Sequence, residues 1–436
     1  MNFSSSVKIL ELNSQGSEEA LKISSATYIR VLQQLRGKPL FPQLRKLYLE
    51  NYHGLVDYFS LFLSPNLQTI QLLNTKLPTI SAPTASVVLK NLICDFSEWS
   101  QQVEHLHVTQ GIIMPISLLE GISLLSNLRT LNISPIQVGS FQEFCPLAPL
   151  SLESLTLGLS CSSYTRLPNP ITSLPDFLVS LEKLNISGPL IAVVDFVQSL
   201  GSQHITSLVI EAGGKGVKCD QHGKKPLEAE NVNVCDFGSM LHTVSLRWGD
   251  FLREITVTPP CEACIDFAQL SGMLMLEKIH LSSCPFDGLE HALESPTVWY
   301  HLGELHLTVT ISFPSLSLMA LSAPHLKKLN VSIDTSKAPS TKKQRVFAHP
   351  LKSLDILDLP SQNSGWGSCR SDKDLSNLPR FIQIARYLNA LFPKMEELTS
   401  SSRMKTWEIV WHLVILCQTS RADDDCRRPV CAVDVL

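Results

Sequence analysis

One short spacing of apolar residues recurs along the chain and constrains its fold more than any other feature. Each occurrence has an apolar residue, two variable residues, a second apolar residue, one variable residue and a third apolar residue. Successive side chains of a strand point to opposite faces, so the last two apolar residues share one face and the residue between them takes the other. The pattern predicts a strand with one buried face beginning near Val7, Leu44, Leu67, Val103, Leu128, Leu152, Leu181, Ile205, Leu241, Leu276, Leu302, Leu326 and Leu351.

The interval between these motifs identifies the kind of repeat. From residue 103 onward most motifs begin 24 to 29 residues after the previous one, which matches the period of leucine-rich repeats. Leucine supplies 69 of the 436 residues, enough for each repeat to bury its neighbour. We predict an α/β fold, an irregular leucine-rich-repeat solenoid with a curved parallel sheet and outer helices and loops. The alternative, a leucine-rich globular core, would not space its motifs so evenly.

The turns of these repeats depart from the usual pattern. Leucine-rich repeats commonly carry Asn or Cys three residues after the third apolar position. In this sequence only the repeat ending at Leu281 complies, with Cys284. We therefore expect irregular turns between the strands.

Composition divides the chain into segments. The repeats are predicted to occupy residues 1–371, with a polar, glycine- and lysine-rich insertion at 211–240. From Asp372 onward apolar residues recur at intervals of three and four, which is typical of amphipathic helices. We predict that residues 372–420 form a C-terminal helical cap that covers the core of the last repeat, and that residues 421–436 form a frayed tail.

Charge and hydropathy argue against a nucleic-acid ligand and against a membrane-spanning helix. The formal net charge is -4, so nucleic acid is not expected to be the ligand. Every strongly apolar stretch is shorter than the roughly 20 residues that a membrane-spanning helix needs. Residues 1–8 lack the basic start and apolar run of a signal peptide. We expect an intracellular protein, cytoplasmic or nuclear, without a membrane span.

Few residues suggest chemistry. Cys261 and Cys264 have the spacing of a metal or redox pair, but a structural zinc site needs a second pair. His280 and His306 occupy the same position in successive repeats, where ordinary exposed histidines are the simpler interpretation. The sequence contains no catalytic-serine elbow, phosphate loop or zinc-protease motif. We expect no enzyme activity, no catalytic residue, no cofactor and no metal.

The expected function is binding of a protein target, whose identity the sequence does not give. In each strand, the residue between the last two apolar positions and the residue just before the second one face away from the core. The candidate partner-binding residues on this inner surface are Lys46, Tyr48, Gln71, His105, His107, Asn132, Lys183, Asn185, Lys278, His280, Glu304, His306, Lys328 and Asn330. The alternative is that the inner surface is only solvated and that the partner binds the insertion at 211–240.

Three segments carry a resemblance to a known family: residues 41–49 (FPQLRKLYL), residues 385–393 (ARYLNALFP), and residues 416–418 (LCQ) followed by Arg421 and Asp423. Together they resemble the leucine-rich-repeat region of fungal F-box-type proteins, in particular the basidiomycete group. The resemblance extends over nearly the whole chain. It implies a ubiquitin-ligase substrate receptor, in which the repeats hold the target while an N-terminal F-box docks the adaptor of a cullin ligase.

The start of the sequence departs from that family. The first strand motif begins at Val7, which leaves no room for an F-box before it. We expect the cullin-ligase adaptor to be a partner only if an F-box is missing from the gene model. The alternative is a free-standing repeat scaffold or regulator with no link to a ubiquitin ligase.

Overall fold

The structure is a computed structural model in which the chain divides into two compact units, residues 1–243 and 244–436. It describes residues 6–13, 25–36, 38–50, 61–73, 82–161, 164, 177–213, 234–260, 265–282, 286–287, 293, 299–339, 349–357, 378–400 and 405–427.

In the first unit, each described strand pairs in parallel with the strand of the next repeat. The strands, in the order of the sheet, are β1 (Ile9–Asn13), β2 (Lys46–Glu50), β3 (Thr69–Leu73), β4 (His105–Met114), β5 (Thr130–Gln137), β6 (Ser154–Ser160), β7 (Lys183–Gly188) and β8 (Ser207–Ala212). Between them lie α1 (Ser25–Leu35), α2 (Ala82–Trp99), α3 (Leu118–Ile122), a 3-10 helix (Phe141–Leu147) and α4 (Leu190–Ser199).

The second unit repeats the same arrangement. Its main strands are β9 (Glu254–Thr258), β11 (Lys278–Leu281), β13 (Glu304–Ile311), β14 (Lys328–Ile333), β15 (Ser353–Ile356) and β16 (Glu397–Ser400), each parallel to the next. A separate parallel pair is formed by β10 (Ile265–Asp266) and β12 (Phe286–Asp287). The helices are α5 (Val234–Trp248), which begins in the first unit, then α6 (Ala268–Ser271), α7 (Phe313–Ser322), α8 (Leu378–Leu391) and α9 (Lys405–Arg427).

The register of the strands aligns the motif residues from repeat to repeat. Leu131 lies between Leu106 and Leu155 of the neighbouring strands, and Leu184 continues the line. All four side chains are buried. The chain is thus an α/β leucine-rich-repeat protein, as the spacing predicts.

In the part of the chain that is described, none of the helices has both the length and the apolar composition to cross a membrane.

The pairing of the strands is irregular at three places. The parallel register shifts between Thr109 and Met114 in β4 and between Ile133 and Ile136 in β5. In β13 it shifts between His306 and Thr310. Such bulges bend a strand and end one stretch of pairing before the next begins.

One predicted strand is a helix. The motif Leu241/Val244/Leu246 lies in α5. The residues that α5 buries, Phe237, Met240, Leu241, Val244 and Trp248, recur at intervals of three and four, while Leu246 is 74% exposed. The first two motif positions are three apart, a spacing that also suits one face of a helix. Thr243 and Ser245, the two residues of this motif that the pattern would place on the inner surface, therefore lie on a helix.

The strand of this repeat is β9, whose motif is Leu252/Ile255/Val257. These three side chains are buried, and Ile255 aligns with Ile279 of β11. The sequence of β9 fits the motif as well as that of any other strand. The motif of this repeat was assigned to Leu241 because that match comes first along the chain.

The segment boundaries also differ in detail. Glu211 and Ala212 belong to β8, and the residues from Val234 onward belong to α5. Residues 214–233, the middle of the predicted insertion, lie outside the described residues. Near the C-terminus α8 leads into β16, which pairs with β15, so the segment 372–420 includes one more repeat before α9. Helix α9 runs to Arg427, past the predicted start of the frayed tail.

Buried side chains link the turns of successive repeats where the usual Asn or Cys is missing. Three residues before the first apolar position of a motif, the hydroxyl of Ser64 donates to the Pro42 carbonyl at 3.2 Å. The Ser100 hydroxyl likewise donates to the Ser64 carbonyl at 2.8 Å, and that of Ser202 to the Leu181 carbonyl at 2.6 Å. Each bond satisfies a backbone acceptor of the preceding repeat, and the carbonyls of Ser64 and Leu181 belong to buried residues.

His349 forms a similar link in the second unit. The backbone N–H of Leu351 donates to its Nδ1 at 3.2 Å, and its Nε2–H donates to the Ala323 carbonyl at 2.9 Å. The ring is 5% exposed. These two bonds select the neutral imidazole, because a proton on Nδ1 would remove the acceptor for Leu351.

Candidate functional site

The strand faces opposite the buried leucines carry two rows of side chains. The first row contains the residue just before the second apolar position of each motif, and the second row the residue between the last two. In β2, Lys46 and Tyr48 take these positions, and Leu47 and Leu49 are buried. The register places all of the candidate partner-binding residues in these rows.

His107 is held in a fixed orientation in the first unit. Gln71 Nε2 donates to His107 Nδ1 at 3.2 Å, and His107 Nε2 donates to Thr109 Oγ1 at 2.7 Å. Partial burial lowers the pKa of His107, since burial disfavours the charged imidazole. The imidazole is therefore neutral at pH 7, and its two hydrogen bonds fix the orientation of the ring.

The rest of the second row from β4 to β7 is polar, and in β8 the row ends with the apolar Val209. Asn132 lies opposite His107 on one side and Thr156 on the other, and Asn185 follows Thr156. At the other end of the row Tyr48 borders an open depression of about 230 Å³, together with Glu11 and Gln71. The first row carries Lys46, His105 and Lys183 at the corresponding positions.

A stacked histidine pair occupies the second row of the second unit. The rings of His280 and His306 lie 3.9 Å apart between centroids, with 30° between their planes. Asn330 Nδ2 donates to His306 Nδ1 at 3.1 Å. Partial burial lowers the pKa of both histidines, and for His306 the proximity of His280 adds to the effect while Asp355 opposes it.

Charges alternate in the first row of the second unit, in the order Glu254, Lys278, Glu304 and Lys328. Lys278 pairs with Glu254 at 2.7 Å, and Lys328 pairs with Glu304 at 3.2 Å. The hydrogen bond to Glu254 raises the pKa of Lys278. Because these side chains are about half exposed, such pairs contribute little stability and present charge to a partner.

The structure gives no metal-binding group among the residues that it describes. Cys261 and Cys264 lie outside the described residues. Within the described ranges no group of three or more His, Cys, Asp or Glu is placed to hold a metal ion. What the rows offer are fixed hydrogen-bond donors and acceptors and paired charges.

Some residues of the rows were missed by the sequence analysis. Glu254 and Thr256 belong to β9 and align with Lys278 and His280. The signal that finds them is the Leu252/Ile255/Val257 motif. Thr399 of β16 was also missed, and its hydroxyl donates to Asp355 Oδ1 at 2.8 Å.

Comparison with solved structures finds leucine-rich-repeat proteins of low identity. An internalin from Listeria monocytogenes is 12% identical with a TM-score of 0.40, covering 88% of this chain and 92% of that chain. A leucine-rich-repeat protein from Leptospira interrogans is 14% identical with a TM-score of 0.31, covering 90% and 96%. A chain of the yeast Rad7 and Elc1 complex is 16% identical with a TM-score of 0.37, covering 76% of this chain and 88% of that chain. No protein-family profile and no curated protein sequence matches the chain.

Proposed function

We propose that this chain is a non-catalytic protein–protein interaction module that binds a protein target through its two rows. One observation carries the proposal: the strands bury their leucines on one face and hold polar side chains in register on the other. Because the leucines do the packing, the row residues are free to be selected for binding. A rigid surface also loses little conformational entropy on association.

The dimensions of the rows suit a protein partner. Parallel strands lie about 4.8 Å apart, so the paired strands β1 to β8 give rows about 30 Å long. A stable protein interface buries about 800 Å² on each partner. Rows of this length, two residues wide on each strand, supply a surface of that order.

The test begins with a partner captured by crosslinking of the full chain. Tyr48, His107, His280 and His306 are then replaced together by Ala. We expect binding to fall at least tenfold while circular dichroism and the unfolding midpoint stay close to the wild-type values. Full binding by a normally folded quadruple variant would overturn the assignment to the rows and favour the insertion at 211–240.

A matched control carries the same number of substitutions at exposed positions off the rows. It replaces by Ala the residues Ser126, Ser151, Arg386 and His412. We expect this variant to bind the partner as tightly as wild type.

At a finer level, we propose that the chain is the target-binding region of an F-box-type ubiquitin-ligase substrate receptor. The support is the resemblance of residues 41–49 and 385–393 to fungal proteins of that type. A pull-down with the cullin-ligase adaptor tests it: we expect weak or no binding by this chain alone, and binding when the upstream F-box is supplied in the same polypeptide.

The second candidate is a free-standing scaffold or regulator. It is favoured by the fact that the segments carrying the resemblance all lie in the repeats and C-terminal helices. The genomic sequence upstream of Met1 separates the two candidates. An F-box reading frame there favours the receptor, and a stop codon with a promoter favours the scaffold.

A further inference from the structure

A third row of side chains flanks the first row in the second unit. It contains the residue directly after the first apolar position of each motif, and the backbone links its members one by one. Each backbone N–H donates to the carbonyl of the member one repeat earlier, at 2.7 to 2.9 Å. The members of this flanking row, in order, are Arg253, Glu277, Gly303, Lys327, Lys352 and Glu396.

The charges of the flanking row are paired except at one place. Arg253 lies 3.5 Å from Glu277, and Lys352 lies 2.9 Å from Glu396. Lys327 has Gly303 as its neighbour on one side and Lys352, a like charge, on the other. Among the described residues of the row, Lys327 is the charged side chain without a carboxylate at ion-pair distance. The position where an acidic side chain would pair with it is a glycine.

Gly303 lines an open depression of about 300 Å³. The other lining residues are Glu277, Lys278, His301, Glu304, Lys327 and Lys328. A Cβ added at Gly303 would lie 3.8 Å from the Glu277 carbonyl, an ordinary contact. A side chain therefore fits at this point of the row, and the chain itself leaves the space open.

Three exposed apolar residues lie within three positions in sequence of Glu277 and His301, which line the depression. Leu274, Met275 and Tyr300 precede the first apolar positions of two neighbouring repeats, and they are 51%, 37% and 61% exposed. At the equivalent positions of the first unit, Gln102 and Asn127 are polar, and Val179 is the exposed apolar residue. Exposed apolar side chains grouped in this way mark sites of protein contact.

We infer that the depression over Gly303 receives an acidic side chain of the protein partner, whose carboxylate pairs with Lys327. An apolar residue of the same partner segment packs on Tyr300 and Met275. The inference rests on the proposed function and names the chemistry of the partner. Charge complementarity selects the occupant: Glu304 already pairs with Lys328 and Glu277 with Arg253, so the unmatched charge at the site is the ammonium group of Lys327.

The probe is a phage-displayed library of random 12-residue peptides, selected on the full chain. We expect enrichment of peptides that carry Asp or Glu next to an aromatic or aliphatic residue. The consensus peptide is then synthesised and its affinity measured by fluorescence anisotropy. Lys327→Glu should weaken binding about tenfold or more, because it replaces attraction by repulsion. Gly303→Glu should weaken it similarly, because the new carboxylate fills the depression and pairs with Lys327.

Two further variants complete the design. Tyr300→Ala should weaken the consensus peptide several-fold by removing the apolar contact. Lys38→Glu makes the same charge reversal at an exposed position of the first unit outside the rows and should leave peptide binding unchanged. Circular dichroism of each variant checks that it is folded.

The inference is overturned if selection on wild type gives no enrichment over selection on Gly303→Glu, or if the consensus peptide binds Lys327→Glu as tightly as wild type. Failure of the broader proposal looks different. If a crosslinked partner binds the quadruple Ala variant as tightly as wild type, the two rows have no role in binding. Peptide binding that depends on Lys327 would still support the inference in that case. A partner that needs the rows but tolerates Lys327→Glu removes only the inference.

Discussion

His280 and His306 stack on adjacent parallel strands with their ring centroids 3.9 Å apart. Their positions in successive repeats are identical, and the register pairs them directly. Protonating both rings would place two positive charges in contact, which disfavours the doubly charged state. The two rings lie beside the alternating charges of the first row.

This pair predicts how stability depends on pH. The pKa of His280 and of His306 is lowered in the folded chain, so the unfolded chain binds more protons as pH falls through the ordinary histidine value of about 6.5. The free energy of unfolding must then fall with decreasing pH over that range. Chemical unfolding at pH 7.5, 6.5 and 5.5 measures it, and a His280→Asn/His306→Asn variant should lose less stability than wild type. Equal losses would contradict the prediction.

His349 predicts a second, local effect. Replacing it by Phe keeps an aromatic ring at this position but removes the hydrogen bonds to Ala323 and Leu351. Two buried backbone groups are then unsatisfied, which costs about 1 to 3 kcal/mol for each. Burial also lowers the pKa of His349, so this variant should show a smaller loss of stability between pH 7.5 and 5.5. Unfolding at both pH values separates the two effects, and an unchanged pH dependence would exclude the second.

Neighbouring residues of β5 separate packing from recognition. Leu131 is fully buried, whereas Asn132 is half-buried in the second row. Leu131→Ala should cost about 2 to 5 kcal/mol because it leaves a cavity in the leucine stack, and Leu184→Ala should cost a similar amount. Asn132→Ala should change stability by less than about 1 kcal/mol. Denaturant midpoints of the three variants provide the comparison.

The helical assignment of residues 234–248 has a direct test. A strand would bury both Val244 and Leu246, whereas α5 buries Val244 completely and leaves Leu246 74% exposed. Val244→Asp should therefore destabilise the chain strongly, because it buries an unpaired charge. Leu246→Asp should be nearly neutral in the same unfolding measurement. A large loss for both variants would restore the strand interpretation.

Ser202 tests the links between turns. Its hydroxyl donates to the Leu181 carbonyl and accepts from the backbone N–H of His204. Ser202→Ala leaves both groups without these bonds, so we expect a loss of about 1 to 3 kcal/mol. Ser180 is exposed in the neighbouring repeat, and Ser180→Ala is the matched control, expected to be neutral in thermal unfolding.

The apolar spacing was sufficient to predict most strands and the facing of their side chains. This follows because successive side chains of a strand point to opposite faces: once Leu131 and Ile133 are buried, Asn132 must point to the other face. The spacing failed at Leu241 because its first two positions also fit a helix. Nor could it reveal the unpaired Lys327, since that depends on which charged neighbours meet and on the missing side chain of Gly303.

The serine links between turns have a consequence for how such a chain grows. Ser64, Ser100 and Ser202 each bond to a carbonyl of the repeat immediately before them. A duplicated repeat would therefore bring its own hydroxyl and find its acceptor in the copy beside it. Duplication of a whole repeat of this kind would keep the bond, whereas a change of length between a serine and the carbonyl that it bonds would displace the hydroxyl from its acceptor.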